Sequence, residues 1–105
     1  MDPTFGIHVV ERDGATVLIV VGEVDLATAP TLDARLQHAI VDGSRPVIVD
    51  LDQVSFMDSS GLQVLVSHTL ACKTSSQVRL TQGSPQVRRL FEVSGMVDHL
   101  PFTAS

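Results

Sequence analysis

Two short apolar runs constrain the fold of this chain more than anything else in it. Ala15–Val21 reads ATVLIVV and Pro46–Leu51 reads PVIVDL. Continuous runs of this length suit strands inside a sheet: the first is apolar enough for burial on both faces, and the second has the pattern of a central parallel strand. Between them lies a helical pattern. Thr28 is placed to cap it, Pro30 falls in its first turn, Leu32, Leu36, Ala39 and Ile40 share one face, and Gly43 ends it. A strand, a helix and a second strand in this order imply parallel neighbours joined by a right-handed crossover.

The remaining segments extend the same alternation. Phe5–Val10 alternates weakly as a strand, and Asp13-Gly14 is a hairpin turn signal. Gly22-Glu23-Val24-Asp25 leaves the second strand, and Asp52–Asp58 reads as a loop after the third. A second helix runs from Ser59 or Ser60 to Lys73, with Leu62, Leu65, Val66, Thr69 and Leu70 as its inner stripe. Gln77–Thr81 is a fourth strand. Ser84-Pro85 opens a third helix, Val87, Leu90, Phe91 and Ser94 form its buried face, and Gly95 closes it. Leu100–Phe102 reads as a last edge strand. The expected fold is α/β: one domain over residues 1–105, with a small mixed sheet of four to five strands and three helices packed mainly on one face.

Composition narrows the function. A length of 105 residues is one domain, and 44% apolar content allows a packed core. No apolar run reaches the ~20 residues of a membrane span, and the N-terminus has no basic region followed by an apolar stretch. The expectation is a cytoplasmic protein without a membrane partner. One cysteine, Cys72, excludes an internal disulfide framework and is expected to pack. A net charge of −5 argues against direct nucleic-acid binding, which needs a positive face.

In a fold of this kind, loops at the carboxyl ends of parallel strands carry sites. Here those loops are Gly22–Thr28 and Asp50–Gly61. The second contains Asp58-Ser59-Ser60-Gly61, where a helix begins. Ser and Asp at such a point cap the helix by accepting hydrogen bonds from its free N–H groups. The same N–H groups and the positive end of the helix dipole favour an added phosphate. Asp25, Asp50, Asp52 and Asp58 all fall in these loops, but nothing in their spacing makes them converge on a metal, and none is expected. Glu23 and Asp25 either shape their loop or meet a partner. No Gly-x-Ser-x-Gly elbow, Walker loop or dinucleotide fingerprint is present. His8, His38, His68 and His99 read as surface or half-buried residues away from Ser59. The composition suits a binding module without a cofactor rather than an enzyme.

Four segments occur in this order: Gly22-Glu23-Val24-Asp25, Val49-Asp50-Leu51, Phe56-Met57-Asp58-Ser59-Ser60-Gly61-Leu62, and Val87-Arg88-Arg89-Leu90-Phe91-Glu92-Val93-Ser94-Gly95. Together with the order of elements they closely resemble the STAS family, and within it the bacterial anti-sigma factor antagonists, from about Ile7 to Phe102. The resemblance implies a protein that binds an anti-sigma factor of the serine-kinase type and so frees a sigma factor. The kinase would phosphorylate the serine directly after the motif aspartate, here Ser59, and a serine phosphatase would reverse this. Ser60 is the alternative acceptor. The implied partner-binding set is Glu23, Asp25, Asp58, Ser59, Ser60 and Gly61. Two departures stand out: the final helix common in the family is short or absent, and Gln63 stands where many relatives have glycine. A rival reading within the family is a sensor that binds a small anion or nucleotide at the same helix N-terminus. The free edge of the first strand permits a weak homodimer.

Overall fold

Asp13 and Gly14 both take positive φ, 54° and 80°, the two-residue turn that an Asp-Gly pair adopts at least cost. In the computed structural model, which describes residues 5–71 and 77–103, this turn folds β1 (Gly6–Arg12) back on β2 (Ala15–Val24) in an antiparallel register from Arg12↔Ala15 to Gly6↔Val21. Then follow α1 (Ala29–Asp42), β3 (Val47–Met57), α2 (Ser59–Ala71), β4 (Val78–Leu80) and α3 (Pro85–Val93). The sheet has the order β1-β2-β3-β4, with β2–β3 and β3–β4 parallel. The expected last edge strand is a single parallel bridge, Leu80↔Phe102.

Strand periodicity explains the layering. Leu18, Val20 and Val24 of β2 and Val47, Val49 and Leu51 of β3 point to one side and join Leu32 and Leu36 of α1, Leu65 of α2 and Val87 and Phe91 of α3 in one core. Each fully buried Leu or Val contributes roughly 1.5–3 kcal/mol. The three helices therefore share a face of the sheet, as the patterns imply. Burial of β2 on its other face is only partial: Ala15 and Val17 are buried, but Ile19 and Val21 are half-buried.

Three expectations of detail are corrected. β2 does not end at Val21 and β3 does not end at Leu51; they continue side by side to Val24 and Met57. From Ile19 to Val21 the partner residue advances from Asp50 to Gln53, and from Gly22 to Glu23 it advances from Val54 to Phe56. β3 thus carries an extra residue at each place, and these bulges break the alternation that would have marked a strand. On α2 Leu65 is fully buried and Leu62 and Val66 pack half-buried against the core, as the stripe implies, but Gly61 and His68 are buried too, while Leu70 is 75% exposed. On α3, Ser94 is exposed and its hydroxyl donates to the Leu90 or Phe91 carbonyl, closing the helix instead of packing. Ser84 caps α3 as expected: its hydroxyl donates to the Val54 carbonyl and accepts from the Val87 N–H. Cys72 and Lys73 lie outside the described residues.

Candidate functional site

The site forms where β2 and β3 stop together. Val24 and Met57 are register partners, so Asp25 and Asp58 leave adjacent strand ends. The Asp58 N–H donates to the Val24 carbonyl at 3.1 Å and ties the start of α2 to the end of β2.

Asp58 caps α2. Its Oδ1 accepts from the Ser60 N–H at 2.8 Å, and its carbonyl accepts from the Leu62 N–H at 3.2 Å. Ser59 is the first residue of the helix and is exposed; among the described residues no hydrogen bond engages its hydroxyl. Capping therefore falls to Asp58 and not to Ser59, which leaves the Ser59 hydroxyl at the positive end of the helix without that task. Ser60 is half-buried.

Gly61 is buried, and the reason for glycine is close approach. A Cβ there would lie 2.7 Å from Met57 Cγ and 2.7 Å from Val24 Cγ1. Its absence lets the first turn of α2 rest directly on both strand ends and sets how far Ser59 stands above the sheet.

The other loop is built around Asp25. Its Oδ1 accepts from the N–H groups of Ala27 (3.0 Å) and Thr28 (3.1 Å), and its own N–H donates to Thr28 Oγ1 at 2.9 Å. The Thr28 hydroxyl has one proton; it lies 2.8 Å from the Glu23 carbonyl and 3.2 Å from Asp25 Oδ1. Thr28 occupies the cap position of α1 but makes no side-chain cap bond. Its hydroxyl reaches back, and Asp25 satisfies the turn that leads into the helix. Half-buried Asp25 and exposed Glu23 together form an acidic rim.

The structure brings Glu23, Asp25, Asp58, Ser59, Ser60 and Gly61 to one end of the sheet. It does not bring Asp50 or Asp52 there. Both lie within β3, where Asp50 Oδ1 accepts the Asp52 N–H. Asp50 lies seven positions before Met57, roughly 20 Å along a strand. Asp50 pairs with Ile19, whose neighbours Leu18 and Val20 face the core, so it projects from the open side of the sheet. Among the described residues no group of three His, Cys, Asp or Glu side chains is placed to hold a metal.

Three features of the site carry no local sequence signal. His68 is only 9% exposed and its Nε2 lies 2.7 Å from Oδ1 of Asp33, which joins α2 to α1 across 35 residues. Leu26 and Phe56, in contrast, are apolar yet 79% and 46% exposed, the first on the loop after β2 and the second near the end of β3. A chance tertiary pairing and a choice to leave apolar groups in solvent are invisible to periodicity.

The STAS domain family model matches residues 6–105. The chain is 38% identical over 78 residues to the anti-sigma-B factor antagonist of Staphylococcus aureus, covering 73% of this chain and 72% of that protein. It is 33% identical over 97 residues to protein BtrV of Bordetella bronchiseptica, covering 89% and 81%. A crystal structure of an anti-sigma factor antagonist from Mycobacterium paratuberculosis superposes with a TM-score of 0.86 at 25% identity, covering 97% of this chain and 87% of that one.

Proposed function

This chain belongs to the STAS domain family, and on that footing we propose that it is a non-enzymatic anti-sigma factor antagonist switched by phosphorylation of Ser59. Unmodified, it binds an anti-sigma factor of the serine-kinase type and releases a sigma factor. Phosphate on Ser59 ends the complex, and a serine phosphatase restores it. The roles of its relatives in Staphylococcus and Mycobacterium support the first half of this reading. The observation that carries the second half is the state of Ser59: exposed, first in its helix, and relieved of capping by Asp58.

Physical chemistry supports a switch of this design. A phosphoserine adds about −1.5 to −2 charges and three acceptor oxygens. Within the free protein, the N–H groups and dipole of α2 stabilise it, by typically 0.3–1 kcal/mol. In the complex the same group must be covered. Stripping water from a phosphate that lacks a matching cation costs several kcal/mol. It would also face the nucleotide phosphates from which a kinase transfers it. Like charges at partly screened separations cost on the order of 1–3 kcal/mol per close pair, and each 1.4 kcal/mol is about tenfold in affinity. Glu23, Asp25 and Asp58 already make this end acidic. The fold tolerates the modification and the interface rejects it.

The test is phosphate mapping. The purified protein is incubated with ATP and its kinase-type anti-sigma factor, and the product is analysed by mass spectrometry. The reading requires phosphate on Ser59 and none on the Ser59→Ala variant. Phosphate on Ser60 in that variant would move the acceptor by one residue. No phosphate on either protein, with binding that depends on a small anion or nucleotide, would replace the switch with the sensor reading.

A further inference from the structure

The region beside Ser59 contains more than the acceptor loop. A groove of about 370 Å³ runs between α1 and α2, bounded by Leu26, Ala29 and Asp33 on one side and Ser60, Gln63 and Ser67 on the other. It opens next to the acceptor serine. Residues four apart share a helix face, so Ser59, Gln63 and Ser67 form a row, and all three are exposed. Gln63 is thus the side chain that follows Ser59 along the lip of the groove. On the opposite lip stands Leu26, 79% exposed. An isolated exposed leucine is ordinary; one at the mouth of a groove, on the loop beside the acceptor serine, is placed as a contact.

We propose that Leu26 and Gln63 are specificity-determining residues, and that the groove between them receives an apolar-tipped segment of the anti-sigma factor flanked by Lys or Arg. This rests on the function proposed above. Two observations select the occupant. The groove is lined by Ser60, the neighbour of the exposed acceptor Ser59, and is therefore continuous with the acceptor site. Its charge is one-sided: among the described residues Asp33, which also meets His68, is the only charged one lining it, and Glu23 and Asp25 extend the acidic rim. An apolar tip buries against Leu26 and the Ala29 methyl, while flanking cations meet the rim away from Ser59. Small well-packed apolar anchors inside a polar rim carry most of the binding energy in such contacts. Gln63 sets how deep the segment can enter: its amide can hydrogen-bond a matching partner and obstructs one shaped for an empty lip.

The inference is tested with a panel of purified kinase-type anti-sigma factors from the source genome, measured by titration against the wild type, Leu26→Asp, Gln63→Ala and a control on another helix, Val93→Asp. All substituted positions are exposed, and thermal melting checks that each variant folds. The expected result is binding of the wild type to at least one member. Leu26→Asp then weakens that binding tenfold or more, Gln63→Ala changes the ratio of affinities between panel members fivefold or more, and Val93→Asp has no effect. Wild-type affinities for both Leu26→Asp and Gln63→Ala would overturn the inference while leaving the proposed function intact. Failure of the wild type to bind any member would overturn the proposed function itself, and this inference with it.

Discussion

At the scale of single residues, the site divides labour between neighbours. Asp58 holds the helix, Gly61 lets it sit close to the strands, and Ser59 is left without a structural task. Ser59→Ala should therefore change stability by less than about 0.5 kcal/mol, the usual range for a surface position without special contacts. Asp58→Ala should cost ~1 kcal/mol, as loss of an N-cap does. Urea denaturation of the two variants separates these roles; equal losses would contradict the assignment of the cap. Gly61→Ala meets stiff Val24 as well as Met57 and should cost roughly 1–3 kcal/mol through overpacking. The motif Asp58-Ser59-Ser60-Gly61 was visible in the sequence as a helix start. Which of its polar residues caps was not, because aspartate and serine serve equally well there and only the backbone frame distinguishes the cap from the first helical residue.

At the scale of elements, legibility followed periodicity. α1 was plain because Leu32 and Leu36 recur at helical spacing between Pro30 and Gly43, and both are fully buried. The continuation of β3 through Asp52, Gln53 and Ser55 was hidden because two bulges interrupt its alternation and leave exposed polar residues in a strand. That continuation matters to the site: it carries Asp50 away from Ser59 and reduces the acidic surroundings to Glu23, Asp25 and Asp58. The His68–Asp33 contact was hidden for another reason, since a histidine on an amphipathic helix gives no sign of what faces it. It fixes α2 against α1 beneath the groove. His68→Ala should cost about 2–3 kcal/mol, the loss of a buried ring and of its part-buried hydrogen bond to a carboxylate. Asp33→Asn, which keeps an acceptor oxygen, should cost less. Chemical denaturation of both variants checks the order.

At the scale of the whole molecule, the domain is a rigid platform. A mixed sheet covered on one face holds two loops at the ends of its inner strands, and the switch changes charge at the end of a helix without repacking the core. Phosphorylated protein should therefore melt within a few degrees of unmodified protein, with backbone amide chemical-shift changes confined to Glu23–Thr28 and Met57–Gln63. Shifts spread across β1 and α3 would show a rearranged sheet instead. Among the described residues no helix is long and apolar enough to cross a membrane. The measurement that bears most directly on the central claim is a calorimetric titration of the kinase-type anti-sigma factor into unmodified and Ser59-phosphorylated protein. The account predicts that phosphate weakens binding at least tenfold, about 1.4 kcal/mol or more, with the fold unchanged. Equal affinity for the two forms would contradict it and show that phosphate on Ser59 does not control the partner.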